Sequence, residues 1–139
     1  MSLMDTILSV LPQSEGLLPK WMLFISVVSL FNSAQTYTGP TLSRRVYEAQ
    51  PQQVTALSAR TFGTWTILTS IVRLYGSYYT NIQPIYDLCI FTYLVAGGHF
   101  ISEWLVFGTA KLGKGLAGPL IVASTSTIWM LLQRDFYID

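Results

Sequence analysis

The stretch LVAGGHFISEWLVFGTAK, residues 94–111, decides how this chain is read. It is apolar enough to lie in lipid, yet it holds the only histidine, His99, and a glutamate one helical turn later, Glu103. Followed back to Ile85, the run becomes a continuous apolar segment over about 85–107. That is long enough to cross a bilayer, which takes about 17 to 25 residues of helix. Three more stretches qualify, at about 20–37, 61–79 and 116–133. None shows a polar face recurring at helical spacing, and none alternates as a strand of a membrane barrel would. The expected fold is an all-α integral membrane protein, with four transmembrane helices in one small bundle.

The totals agree. Hydrophobic residues make up 51% of the 139, charged residues only 11%, and the mean hydropathy is +0.45. A soluble domain carries about a quarter charged residues. A net charge of +1 gives no electrostatic reason to expect nucleic acid. The single cysteine, Cys89, excludes an internal disulfide and a multi-cysteine metal site, and reads as a small apolar filler. Asp5 and Glu15 precede the first apolar run with no basic segment before it, which predicts no cleavable signal or transit peptide.

Between and beside the spans, Leu3, Met4, Ile7, Leu8 and Leu11 share one side of a short helix that Pro12 ends. Residues 1–12 read as a segment lying on the membrane surface, or else as a frayed terminus. The longest loop covers about 38–60, and TLSRRVYEAQ within it spaces Leu42, Val46 and Ala49 for a small amphipathic helix. Pro51 suits the start of the next helix. TNIQP is short, so the second and third spans should form a tight antiparallel hairpin. Arg44, Arg45, Arg60, Lys111 and Lys114 flank one side of the spans, against Lys20 and Arg134 on the other. The positive-inside rule then puts both termini in the lumen and the two basic loops in the cytosol.

Arg60, Arg73, Asp87, His99 and Glu103 all fall in or beside the second and third spans. An ionised group at mid-span costs on the order of 2.5 to 3.5 kcal/mol, so these residues need partners, an interface or neutrality. If the hairpin turns between Asn81 and Ile82, Arg60 lies opposite Glu103, Arg73 comes within a turn of Asp87, and His99 faces Thr64. The expectation is an internally neutralised hairpin built on those pairs. His99 and Glu103 could instead serve as a general acid/base pair or as metal ligands. However, HFISE is not HExxH, and one histidine does not make a di-iron site. A proton or ion path through Asp87, His99 and Glu103 is the remaining alternative. Small residues beside these groups, including Gly97, Gly98 and Ser102, and the stripe Ser26, Ser29 and Ser33, let other helices approach closely.

At SARTFGTWT (58–66), Arg73, GGHFISEW (97–104) and FGTAKLGKGLAGPL, the chain resembles the ergosterol biosynthetic protein 28 family. PKWMLFISVVSLFNSAQTY and QRDFY extend the likeness to about Pro19–Tyr137. The resemblance implies a multi-pass protein of the endoplasmic reticulum membrane that is not an enzyme and needs no cofactor or metal. It implies a scaffold for sterol C-4 demethylation that tethers the sterol C-4 methyl oxidase, the decarboxylating 3-beta-hydroxysteroid dehydrogenase and the 3-keto sterol reductase. The sterol C-24 methyltransferase is a further implied associate. Self-association is left open. On this reading Arg44, Arg45, Lys111 and Lys114 meet partner surfaces or anionic lipid.

Overall fold

Pro19, Thr55 and Pro84 mark where the first three long helices begin. The computed structural model describes residues 2–139, and helices with a single 3₁₀ turn are the only regular elements among them. Pro19 and Pro84 sit in the first turns of α2 (Leu18–Gln35) and α5 (Gln83–Leu105), where a missing N–H leaves no helical bond unmade. Thr55 opens α4 (Ala56–Tyr78) with a capping box: its hydroxyl accepts from the Ser58 N–H, and the Ser58 hydroxyl accepts from the Thr55 N–H. Pro51 instead begins the 3₁₀ turn Pro51–Gln53, so α4 starts several residues later than a Pro51 start would place it. The fourth long helix, α6 (Lys114–Leu132), contains Pro119. Short helices complete the order: α1 (Leu3–Val10), α3 (Thr41–Val46) and α7 (Arg134–Tyr137). Of the surface segment expected over 1–12, Met1 lies outside the described residues.

The tight hairpin expected of α4 and α5 is not the dominant packing. α4 lies most extensively along α2, and α5 along α6. The reason is visible in the α2–α4 seam, where Gly63 faces Thr36 and the Ser33 carbonyl so closely that a Cβ would have no room. Hydroxyls then bridge the two helices at three levels: Ser29 to Ser70 at 2.7 Å, Ser33 to Thr66 at 2.6 Å, and Tyr37 to Thr64. Between helices in lipid such bonds contribute about 0.6 to 1.7 kcal/mol each. Small and hydroxyl-bearing residues therefore choose the partner of α4, overriding the short loop.

The bundle has two distinct ends. At the terminal end, α1, the α4–α5 turn and α7 meet: Tyr78 donates to the Val10 carbonyl at 2.6 Å, and Asn81 donates to Asp139 at 3.1 Å. At the basic end, α3 packs on the start of α6, where Gly115 lies against the Arg45 backbone with no space for a side chain.

The partition of residue types is inverted relative to a water-soluble core. Ser26, Ser33, Ser70, Arg73, Ser77 and Ser126 are buried, whereas Phe31, Leu68, Phe91, Val95, Ile121 and Leu132 are exposed. Two helices, α5 and α6, are long and apolar enough to cross a membrane by length and composition. The expectation of four thus meets two on that measure. α2 and α4 have the length, but Lys20, Asn32 and Gln35 in one, and Arg60, Arg73 and a run of Ser and Thr in the other, lower their hydropathy.

Candidate functional site

Arg73 occupies the centre of the bundle and is only 6% exposed. It does not reach Asp87, the partner expected for it. Its Nε donates to Thr92 Oγ1 at 3.0 Å, and its Nη2 to the Thr92 carbonyl at 3.1 Å. The guanidinium carbon stands 4.1 Å from the centroid of the Tyr93 ring, a cation–π contact. Asp87 belongs to the terminal end, where Arg134 takes it with two hydrogen bonds of 2.8 Å. This is the one ion pair among the described residues. The correction has a simple cause. Asp87 lies in the first turns of α5, more than a helical turn before Thr92, and α7 delivers Arg134 to that end.

Arg60 and Glu103 do not pair either. Both stand toward the basic end, Arg60 exposed and Glu103 half-buried, but no ion pair forms between them. The backbone carbonyl of Glu103 accepts from the N–H groups of Thr109 and Ala110, closing the turn after α5. His99 is held by Tyr47 and not by Thr64: the Tyr47 hydroxyl lies 2.6 Å from His99 Nε2. Thr64 bonds Tyr37. The His99 ring also meets Trp65 and Phe100 edge-on, at centroid distances of 5.7 and 5.1 Å. Burial, with the nearby Glu103 carboxylate adding to it, pushes the Tyr47 phenol well above its ordinary range. Tyr47 therefore keeps its proton and donates to Nε2 when His99 carries its own on Nδ1. Tyr47, Trp65, His99 and Phe100 form an aromatic cluster at the basic end that holds the Tyr47 segment against α5.

A groove of about 520 Å³ runs through the middle of the molecule. Its floor is α4 and α5, with Phe62, Trp65, Arg73, Tyr93 and Phe100. Its walls are α2 and α6, which scarcely touch one another. The walls close at the terminal end, where Trp21 donates to Ser126 at 2.9 Å and packs on Trp129. They close again at the basic end under α3. Three cations, Arg45, Arg73 and Lys114, line this space, and no carboxylate does. Ser43 lines it too, with a buried hydroxyl that has no hydrogen-bond partner.

Arg44, Arg45, Lys111 and Lys114 are all exposed at the basic end, around the α3–α6 contact. Among the described residues no group of His, Cys, Asp and Glu is gathered as a metal site would require. Sequence reasoning does not find Ser43 and Tyr93, which line the groove, nor the partners Thr92 of Arg73, Tyr47 of His99 and Arg134 of Asp87. Tyr47 lies in a loop whose placement no periodicity gives, and Arg134 reads only as a flanking charge.

Comparison with known proteins gives a consistent answer. A family model described as Erg28-like protein matches residues 18–128. Ergosterol biosynthetic protein 28 of Candida albicans is 62% identical over 132 residues, covering 94% of this chain and 96% of its own. The Saccharomyces cerevisiae protein of the same name is 53% identical, covering 95% and 88%. The human ergosterol biosynthetic protein 28 homolog is 37% identical, covering 84% of each chain. No solved structure matches. The family match starts where α2 starts and leaves α1 outside it. Matched from Leu18 to Ile128 within α6, this chain belongs to the Erg28 family.

Proposed function

We propose that this chain is a non-enzymatic, four-span scaffold of the endoplasmic reticulum membrane that gathers the enzymes of sterol C-4 demethylation. The observation that carries this reading is the inverted partition. All four long helices present large apolar side chains outward while hydroxyls and Arg73 face inward. An exterior of that kind is stable in lipid or against other membrane helices and costly in water. The hydroxyl ladder explains how α2 and α4 enter the bilayer despite their polar content, since their serines and threonines are satisfied by each other or by the carbonyl a turn earlier. The names of the relatives place the family in sterol biosynthesis and are not names of enzymes.

Tethering needs no active site. Sterol intermediates are confined to the bilayer, and holding successive enzymes together raises the effective concentration of the next active site. The proposed partners are the C-4 methyl oxidase, the decarboxylating 3-beta-hydroxysteroid dehydrogenase, the 3-keto sterol reductase and the C-24 methyltransferase. The exposed Arg44, Arg45, Lys111 and Lys114 would face them in the cytosol, with both termini in the lumen. The competing relay of Asp87, His99 and Glu103 is disfavoured by distance: Asp87 and His99 lie about 18 Å apart along α5, and each is engaged locally.

The test is purification in mild detergent followed by mass spectrometry of what co-elutes. The four sterol enzymes are the expected companions. Their absence, or proton flux in liposomes holding this chain alone, overturns the reading.

A further inference from the structure

Arg73 is a buried cation without an anion, and it faces an elongated groove. Its Nε and one N–H of Nη2 are taken by Thr92. A guanidinium carries five N–H donors, so both on Nη1 and the second on Nη2 remain for something else. Among the described residues no carboxylate pairs with it, and none lines the groove. A charge buried without a counter-ion is costly, and the site recovers that cost when an anion arrives. A planar carboxylate matches the guanidinium fork, because two parallel N–H···O bonds can form.

The shape of the groove selects what carries the carboxylate. From Arg73 to Phe62 it extends about 16 Å along α4 at about 1.5 Å per residue. Its volume of about 520 Å³ falls in the range of about 300 to 1,000 Å³ that encloses a small-molecule ligand. Rings and short aliphatic chains make its floor and walls: Phe62, Trp65, Phe100, Ala96 and Val122. α2 and α6 flank the groove and are joined mainly at the terminal end through Trp21; in the proposed four-span bundle the gap between them faces lipid. An amphiphile can therefore enter sideways from the bilayer. A phospholipid headgroup would stay at the surface, near Arg45 and Lys114, and would not reach Arg73. The unpartnered Ser43 hydroxyl offers a second polar contact toward the basic end.

We propose that the groove binds a sterol carboxylic acid, with the carboxylate on Arg73 and the ring system lying toward Phe62 and Phe100. The carboxylate follows from Arg73 and the cations around the groove. That the body is a sterol rests on the proposed function. In that setting the scaffold holds an acidic intermediate between the enzyme that forms the carboxylate and the one that removes it as carbon dioxide.

The experiment uses the full chain in phosphatidylcholine nanodiscs. Equilibrium binding is measured for a radiolabelled 3β-hydroxysterol bearing one ring carboxylate, and for the same sterol with a methyl group in its place. The acid should bind at least about tenfold more tightly, as a charge-assisted pair requires. Arg73→Gln should bring the ratio of acid to methyl-sterol affinity close to one, and Arg73→Lys should keep part of the preference. Val122→Trp, which fills the groove and leaves Arg73 in place, should block both ligands. Should Arg73→Gln fail to fold, the ligand comparison on the natural chain and Val122→Trp still decide the matter. Equal affinity for acid and methyl sterol overturns the proposal, as does unchanged acid binding by Val122→Trp. Displacement of the acid by equimolar oleate or phosphatidylserine overturns it too, by making the groove a general anionic-lipid site. Co-purification of the sterol enzymes is scored separately on Arg73→Gln. Loss of all partners from the natural chain would sink the scaffold and leave the binding result standing.

Discussion

Arg134 grips Asp87 with both arms of its guanidinium, Nε to Oδ1 and Nη2 to Oδ2, each at 2.8 Å. The contact ties α7 to the start of α5, and hydrogen bonding to Asp87 raises the Arg134 pKa further above its ordinary value. Both side chains keep about a third of their surface exposed, so the bond acts more as a positioning clamp for the chain end than as a large source of stability. Asp87→Asn and Arg134→Gln should each loosen the C-terminal segment. The reciprocal exchange, Asp87→Arg with Arg134→Asp, should restore much of it. Protease sensitivity beyond Leu132, measured for the natural chain, the two single variants and Asp87→Asn combined with Arg134→Gln, reads the coupling as a double-mutant cycle. Additive effects of the two single changes would mean that the clamp is idle.

Gly63 and Gly98 make opposite predictions. A methyl group at Gly63 would collide with Thr36 and stand 2.9 Å from the Ser33 carbonyl oxygen, which is backbone and cannot rotate away. Gly63→Ala should therefore cost about 1 to 3 kcal/mol by forcing α2 and α4 apart. Gly98 faces open space, so Gly98→Ala should be neutral, or should stabilise by about 0.5 to 1 kcal/mol through helix propensity. Thermal unfolding in detergent compares the two directly.

Tyr47 supplies the pH dependence. The folded protein holds its phenol protonated above the ordinary value of 10.0, chiefly through burial and secondarily through Glu103. Above that pH the unfolded chain has released this proton and the folded chain has not. Stability is thus fully present below pH 10 and declines as pH rises beyond it. Tyr47→Phe keeps the ring contact with Phe62, loses about 1 kcal/mol with the His99 hydrogen bond, and should show a shallower alkaline decline. Denaturation curves from pH 8 to about 11 test the sign; a steeper decline in Tyr47→Phe would contradict it.

How far could these contacts be read in advance? Helical content was legible, because apolar runs of that length leave few other solutions, and the hairpin register came close. A turn between Asn81 and Ile82 puts Arg73 opposite position 90, and it meets Thr92. It puts His99 opposite Thr64, and the ring meets Trp65. The partners were not legible, since they depend on helix rotation and on elements far away in sequence. Asp87 could not be assigned without knowing that α7 folds back beside it, nor His99 without the placement of Tyr47. Opposite charges at matching depth read as ion pairs, whereas Arg73 meets the Thr92 hydroxyl and carbonyl and the Tyr93 face and keeps further N–H donors unused.

The basic end carries the partner prediction. Arg44 and Arg45 are exposed on α3, close to the exposed Lys111 and Lys114. Arg45 also offers its backbone to Gly115, a contact indifferent to side-chain charge. Arg44→Glu with Arg45→Glu should preserve insertion and folding while weakening recovery of the sterol enzymes, more strongly at low salt, where exposed charges act over a longer range. Recovery of every enzyme at the natural level would remove the basic loops from the contact.

Whether α2 and α4 cross the membrane is decided by their outward faces. Val27 on α2 and Leu68 on α4 are 54% and 63% exposed near the middle of their helices. Phe91, at 62%, holds a similar place on α5, a helix that meets the length and hydropathy of a span. If all four helices are bathed in lipid, Val27→Lys, Leu68→Lys and Phe91→Lys should each reduce insertion by about 2.5 to 3.5 kcal/mol, the cost of a cation near a helix centre. If only α5 and α6 cross, Phe91→Lys alone should be costly, and the other two should be tolerated as surface charges. Leu3→Lys on α1 supplies the baseline, because that residue is 77% exposed on a helix too short to span. Membrane insertion scored by glycosylation of tagged loops therefore distinguishes a four-span bundle from a two-span anchor with two peripheral helices.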